Sequence, residues 1–294
     1  MFALNVERLE SKMTTITSGA RINSHLTTTP RPKSPVRLCG IALPIEHGSW
    51  GILFEPLVAA VAVALSASAL WITIIFIGAF LMRQPLRIML ADTLAGRELP
   101  QTAAARRFMI YYSAILIAGV AGSWMFTQPS NFLPLLLACP FAVIQIYYDV
   151  ARQSRRLLPE LAGVIALSSS AAIIALAGGW TLPAAAALWA LLIFRLIPSI
   201  LYVRNRLRLE KGKAYSFAIP VVAHALAVAA AASLAYVGLS PILPVAMLTI
   251  LTGRAALGLS PLRRKRKAMQ IGIFETVYGA LMVLSVIFGH YFQL

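Results

Sequence analysis

The sequence is short of cysteine and of acidic residues. It has two cysteines in 294 residues, and Cys39 and Cys139 form no spaced set, so neither a disulfide framework nor a cysteine-based metal site is predicted. Only 10 residues are Asp or Glu against 26 Lys or Arg, which gives a net charge of +16. Charged residues make up 12% of the chain and hydrophobic residues 59%, and this composition excludes an ordinary water-soluble domain. We therefore predict an integral membrane protein.

Long apolar runs fill most of the chain. Since one crossing needs about 20 apolar residues, the sequence predicts an all-α transmembrane bundle of about nine helices within residues 41–294. The runs lie near residues 42–66, 69–91, 107–127, 131–149, 159–178, 182–203, 215–238, 240–258 and 270–291. Residues 1–40 are polar and rich in Thr, Ser and Pro, which predicts a disordered cytoplasmic tail without a cleavable signal peptide.

The basic residues concentrate at alternate connections between these runs. Outside the tail, all of them lie in residues 83–107, 152–156, 195–213 and 254–267. By the positive-inside rule, this asymmetry predicts a cytoplasmic N-terminus and a C-terminus on the opposite side of the membrane. It also accounts for the net charge without nucleic acid as a partner. The expected partners are the bilayer and anionic lipids, which the RRKRK run at 263–267 attracts.

Ionisable residues interrupt the first apolar run, LCGIALPIEHGSWGILFEPLVAAVAVALSAS, which contains Glu46, His47 and Glu55. A charged side chain at bilayer depth costs about 2.5 to 3.5 kcal/mol, so it normally faces a protein interior and a partner. Gly48 and Gly51 share a helical stripe with Glu55, which predicts that a neighbouring helix approaches closely there.

Further polar side chains share helix faces in later runs. Arg195, Ser199, Tyr202 and Arg206 follow an i, i+4, i+7, i+11 stripe, and Arg254 is the predicted partner of Glu275, although another inner arginine also fits. For Asp149, the structural alternative to a role in ligand binding is a local ion pair with Arg152 or Arg156.

The candidate substrate-binding residues are Glu46, His47, Glu55, Arg83, Arg87, Arg195, Ser199, Tyr202, Arg204 and Glu275, with Asp92, Asp149 and Arg152 as secondary candidates. We expect Arg83, Arg195 and Glu55 to converge on one cavity near the inner leaflet. No catalytic residue and no metal ligand follows from these spacings.

Four segments carry a resemblance to known families: PIEHGSWGILFEP, FLMRQPLRIMLADTLAGRELP, YYDVARQSRRLLPELAGVIALSSSAA and FRLIPSILYVRNRLRLEKGK. Over residues 41–290 they resemble the YwiC-like family of uncharacterised bacterial membrane proteins, which implies a location in the bacterial inner membrane. More distantly, their order is similar to that of the UbiA-type prenyltransferase superfamily. That resemblance implies nine helices, one Asp-rich loop after the second helix and another after the sixth.

The chain departs from the UbiA-type pattern at both Asp-rich loops. In that superfamily two aspartate clusters hold Mg²⁺ against a prenyl diphosphate. Here the first position keeps only Asp92, and the second has Arg204, Arg206 and Arg208. We therefore expect neither magnesium nor another cofactor, and direct binding of a prenyl or other amphiphilic anion by guanidinium groups.

Three functions are compatible with this sequence. The first is a divergent UbiA-like enzyme, or a binder of an anionic prenyl or lipid substrate, with an Arg- and Glu-lined pocket that faces the cytoplasm. The second is a transporter or flippase. The third is a noncatalytic membrane scaffold or lipid-binding subunit.

Overall fold

The computed structural model describes residues 38–44 and 47–294. Glu46 and nearly all of the predicted tail lie outside the described residues. The described part contains ten α-helices and no β-strand. The helices are α1 (Leu38–Ala42), α2 (His47–Val63), α3 (Ala67–Leu94), α4 (Pro100–Phe126), α5 (Leu133–Val150), α6 (Leu157–Ala177), α7 (Leu182–Glu210), α8 (Ala218–Tyr236), α9 (Leu243–Leu259) and α10 (Ala268–Phe292). A 3₁₀ turn, Pro129–Phe132, precedes α5.

Seven of the described helices, α3 to α8 and α10, are long and apolar enough to cross a membrane. Helix α2 from Gly48 onwards and helix α9 are apolar but shorter. The all-helical prediction is therefore confirmed, and the chain is a multi-pass helical membrane protein. Each predicted run overlaps one of α2 to α10, but the number of nine crossings stays a prediction because two of these helices are short.

Short-range signals account for several helix ends. The Ser66 side chain accepts a hydrogen bond from the Ala69 amide at 3.1 Å and caps α3. Helix α4 begins at Pro100, where the missing N–H of proline costs no helical hydrogen bond. It therefore starts well before the predicted run at 107, because the polar and Ala-rich residues between these positions are compatible with a helix.

Helix α6 lies at the centre of the described bundle and contacts α2, α3, α5 and α7. Its three consecutive serines, Ser168, Ser169 and Ser170, have no exposed surface. Each hydroxyl donates to a backbone carbonyl of its own helix at 2.7 to 2.8 Å, so the buried oxygens are satisfied locally.

Helix α2 packs against both α6 and α10, so its middle lies inside the bundle. The Tyr291 hydroxyl near the end of α10 donates to the Ala62 carbonyl at 2.8 Å and joins the two helices. Glu55, halfway along α2, is therefore placed among protein side chains.

Candidate functional site

Four charged side chains meet inside the bundle and form what we call the charge layer: Glu55 of α2, Arg195 of α7, Arg254 of α9 and Glu275 of α10. Arg195 Nη2 lies 3.2 Å from Glu55 Oε1 and donates to the Glu275 carbonyl at 3.0 Å. The Glu275 carboxylate pairs with Arg254, as the sequence predicted, and its Oε2 lies 3.8 Å from Arg195 Nη1. The layer therefore contains two cations and two anions in balance.

The predicted polar stripe of α7 forms a buried face. Arg195, Ser199, Tyr202 and Arg206 expose 2%, 4%, 7% and 3% of their surface. The spacing argument is confirmed, because residues at these intervals share one side of a helix. This face brings the stripe into contact with α9 and α10.

Arg254 is held by aromatic rings as well as by Glu275. Its guanidinium carbon lies 4.1 Å from the Tyr202 ring centroid and 5.0 Å from that of Tyr278, which is within cation–π range. Its Nε and Nη2 atoms are buried and have no hydrogen-bond partner in the described part of the chain. Two donor atoms of this side chain are therefore buried and unsatisfied.

Gly279 of α10 allows Glu55 to come close to that helix. A Cβ atom at position 279 would collide with the Glu55 carboxylate. The predicted close approach at Gly48 and Gly51 is wrong, because a Cβ at Gly48 meets open space and one at Gly51 meets only Glu55, on its own helix. The small residue that matters lies on the partner helix.

A hollow of about 350 Å³ adjoins the charge layer, between the ends of α7, α9 and α10, and we call it the basic hollow. Tyr202, Tyr278 and Glu275 are part of its wall. Five arginines line it: Arg206, Arg254, Arg263, Arg264 and Arg266. Its apolar wall consists of Leu257, Leu262, Ile271 and Phe274, together with Gly258. The hollow thus combines a cationic and an apolar surface.

Arg206 and Arg266 are fixed within this hollow by different contacts. Arg206 Nη2 donates to the Arg264 carbonyl and pairs with Glu210 Oε1 at 2.7 Å. The Arg266 guanidinium lies 3.9 Å from the Phe274 ring centroid. The segment after α9 therefore folds over the ends of α7 and α10.

The arginines of α3 lie elsewhere. Arg83 Nε and Nη2 donate to the two carboxylate oxygens of Asp149 at 2.6 and 3.0 Å, and Asp149 is 1% exposed. Asp149 thus pairs with α3 instead of with its sequence neighbours Arg152 and Arg156. Arg83 does not join Glu55 and Arg195, so the expectation of one common cavity is wrong.

A separate polar hollow of about 290 Å³ lies next to the Arg83–Asp149 pair, and we call it the α3–α5 hollow. Its wall includes Arg87, Asp92, Gln101, Asp149 and Arg152, and it shares no residue with the basic hollow. Its two carboxylates are both engaged. Asp92 Oδ2 accepts from the Thr102 hydroxyl at 2.6 Å and from the Gln101 amide at 3.2 Å.

The remaining candidates occupy other positions. Arg204 Nη1 pairs with Glu160 Oε2 at 2.7 Å on a partly exposed surface between α7 and α6. His47 is the first residue of α2, and Glu46 lies outside the described residues. Within residues 38–44 and 47–294, no group of three or more His, Cys, Asp or Glu side chains is placed to hold a metal ion.

Sequence reasoning missed most of the arginines that line the basic hollow. The sequence predicts that the run at 263–267 attracts anionic lipids, and it indicates Arg254 only as a partner for Glu275. One available signal was the position of Arg254 within an apolar helix, because a lone intramembrane charge marks a polar interior.

The fold and the site define a class: a multi-pass helical membrane protein with a balanced charge layer between its helices and a basic hollow beside it. Residues 43–175 match the model of a family described as YwiC-like protein. This segment covers α2 to α5 and all but the last two residues of α6, and it includes Glu55, whereas Arg195, Arg254 and Glu275 lie beyond it. No curated protein and no solved structure matches the chain.

Proposed function

We propose that this protein binds an anionic amphiphile, a prenyl or other lipid compound, in the basic hollow. The observation that carries this proposal is the combination of five arginines with an apolar wall around one space of about 350 Å³. Guanidinium groups match phosphate and carboxylate geometry, and an apolar wall favours burial of a hydrocarbon tail. The site suits a molecule that has both parts.

Buried, unsatisfied donors of the arginines that line the hollow support an anionic ligand. Arg206 Nε and Nη1, Arg254 Nε and Nη2, and Arg263 Nε have no hydrogen-bond partner among the residues that the structure covers. An unsatisfied buried donor costs about 1 to 3 kcal/mol, and more when it is charged. A phosphate or carboxylate that accepts from these nitrogens removes that cost.

The residues at the two Asp-rich positions favour recognition without a metal ion. The Asp92 carboxylate is engaged by hydrogen bonds, while Arg204 and Arg206 pair with Glu160 and Glu210. Magnesium prefers several free oxygen ligands in octahedral geometry, which this set does not offer. We therefore propose that the arginines contact the anion directly and that magnesium is not required.

The distribution of basic residues supports an orientation for the site. The basic hollow lies where the Lys- and Arg-rich connections are, and such connections are typically cytoplasmic. We propose that the hollow opens at the cytoplasmic leaflet of a bacterial inner membrane, with the N-terminus cytoplasmic and the C-terminus on the other side.

Packing between the helices supports binding from one side in preference to transport. A second hollow of about 780 Å³, lined partly by Trp180 and His290, lies at the opposite end of α7 to α10. Between the two hollows, Leu191, Leu248 and Met282 are at most 1% exposed. This close-packed layer favours a binding site over the transporter or flippase function.

The test is amphiphile binding by the full-length protein, purified in a nonionic detergent and measured by native mass spectrometry. Lysophosphatidic acid and a prenyl diphosphate are the anionic probes, and a monoacylglycerol of equal chain length is the uncharged control. We expect at least one anionic probe to bind more tightly than the uncharged one. Added magnesium should leave its dissociation constant unchanged.

Matched double variants locate the site. Arg264→Ala with Arg266→Ala should weaken binding of the anionic probe about tenfold or more, because two charge-assisted contacts are lost. Arg106→Ala with Arg107→Ala removes the same charge from exposed positions of α4 and should leave affinity unchanged. Equal loss in both variants, or no binding of either anionic probe to the unmodified protein, would refute the proposal. A scaffold would tolerate both variants.

A further inference from the structure

Carboxylates balance only part of the positive charge around the basic hollow. Glu275 pairs with Arg254. Glu210 is shared by two arginines, because its Oε1 lies 2.7 Å from Arg206 Nη2 and 4.0 Å from Arg263 Nε. In the described residues, these are the two carboxylates within salt-bridge distance of the five arginines that line the hollow.

The other two arginines of the wall, Arg264 and Arg266, have no carboxylate at that distance in the described segments. The Arg266 guanidinium lies on the Phe274 ring instead, next to the apolar part of the wall. The charge layer does not offset the surplus, because Arg195 uses the charge of Glu55. The hollow therefore has three more positive than negative charges around it.

Anionic headgroups differ in how much of this surplus they neutralise. A carboxylate or a phosphodiester has one negative charge. A phosphomonoester has about 1.5 to 2 negative charges at pH 7 and three terminal oxygens that accept hydrogen bonds. Attraction increases with ligand charge, and the apolar wall and the membrane around the site reduce screening by water. A phosphomonoester also has enough acceptors to contact several arginines at once.

We infer that the natural ligand of the basic hollow is a lipid phosphomonoester, whose headgroup is a terminal phosphate with two negative charges. This inference rests on the proposed function, because it concerns the same hollow and the same class of amphiphile. It goes further, because any anionic headgroup satisfies the proposed function, whereas carboxylates and phosphodiesters do not satisfy this inference.

Three amphiphiles with the same acyl chain test the inference on the unmodified full-length protein. Lysophosphatidic acid is a phosphomonoester, lysophosphatidylmethanol is the phosphodiester that differs from it by one methyl group, and the free fatty acid is a carboxylate. Native mass spectrometry at pH 7.5 should show lysophosphatidic acid bound about tenfold more tightly than the other two. If lysophosphatidylmethanol or the fatty acid binds as tightly as lysophosphatidic acid, the inference is wrong while amphiphile binding stands.

A second measurement at pH 5.0 separates the charge of the phosphate from its shape. The second pKa of a phosphomonoester is about 6, so lysophosphatidic acid loses most of its second charge at pH 5.0, whereas the phosphodiester keeps its one charge. The tenfold preference should therefore shrink towards equality. A preference that is unchanged at pH 5.0 would overturn the inference.

Proton uptake by the protein has the opposite effect on affinity. The groups in or near the hollow and the charge layer that can take up a proton in this range are Glu55, Glu210, Glu275 and His224. Protonation of any of them makes the protein more positive and strengthens the binding of every anion. A weaker affinity for lysophosphatidic acid at pH 5.0 therefore reports the charge of the ligand.

A variant assigns the preference to the surplus charge. Arg264→Gln removes one unpaired cation and keeps the contact of Arg206, which donates to the backbone carbonyl of residue 264. It should lower the preference for lysophosphatidic acid over lysophosphatidylmethanol about threefold or more, whereas Arg107→Gln, an exposed change on α4, should keep it. Equal preferences in the two variants would contradict the inference. If none of the three amphiphiles binds, and the prenyl diphosphate does not bind either, the proposed function fails together with the inference.

Discussion

The basic hollow and the α3–α5 hollow use similar residues in different ways. In the α3–α5 hollow, the carboxylates of Asp149 and Asp92 are saturated by Arg83 and by Thr102 and Gln101. In the basic hollow, guanidinium nitrogens outnumber their acceptors, and several donors have no partner in the described residues. A saturated set holds helices together, whereas an unsaturated set suits a ligand. Unfilled hydrogen-bonding capacity therefore separates a binding site from a structural clamp better than charge alone.

The largest expected effect is that of Arg195→Ala, which removes the central cation of the charge layer. Glu55 then stays buried without its cation, and loss of one partner of a buried pair costs about 3 to 5 kcal/mol. Reversible unfolding in mixed detergent micelles measures this free energy. A loss below about 1 kcal/mol would show that the layer does not stabilise the fold.

The clamp at the α3–α5 hollow should rank second. Arg83→Ala leaves the buried Asp149 without its two hydrogen bonds, but the Arg83 side chain is 23% exposed and water replaces part of the contact. We expect a loss of about 2 to 3 kcal/mol in unfolding free energy. Amphiphile affinity at the basic hollow should not change. If Arg83→Ala also weakened amphiphile binding, the basic hollow and the α3–α5 hollow would belong to one site, and the contrast between them would be wrong.

Gly279→Ala tests the close approach of Glu55 to α10. The added methyl group collides with the Glu55 carboxylate, and overpacking of this kind costs about 1 to 3 kcal/mol. Gly272→Ala on the same helix meets open space and should be neutral or slightly stabilising, because alanine favours a helix. Thermal unfolding of the two variants side by side measures the difference. Equal midpoints would show that Gly279 is not needed for the contact.

The smallest effect belongs to Arg204→Ala. Its pair with Glu160 exposes about a third of each side chain, 34% and 33%, so solvent screens the attraction. Unfolding free energy should fall by less than about 1 kcal/mol. A loss as large as that of Arg195→Ala would mean that burial does not determine which ion pairs stabilise this protein.

The sequence predicted the features that depend on one helix at a time. Apolar runs predicted the helices, and the spacing of Arg195, Ser199, Tyr202 and Arg206 predicted a buried face of α7. Both predictions succeed because rise and angle per residue are fixed properties of the α-helix.

Contacts between helices were harder to predict. Asp149 was expected to pair near its own position, but its cation lies 66 residues away on α3. Gly279 could not be linked to Glu55 either, because helices that are apolar on every side give no orientation from periodicity. The positive-inside rule already accounts for the basic residues at 263–267. The sequence therefore gave no separate indication that some of them line the basic hollow.

The ion pair between Glu55 and Arg195 has a consequence for biosynthesis. Its two members are 140 residues apart, so the ribosome, at about 5 to 20 residues per second, needs on the order of ten seconds to make the cation after the anion. During that interval helix α2 carries a carboxyl group that has not yet met Arg195. Helix α2 can therefore be placed stably in the bilayer only after the second half of the polypeptide has been made.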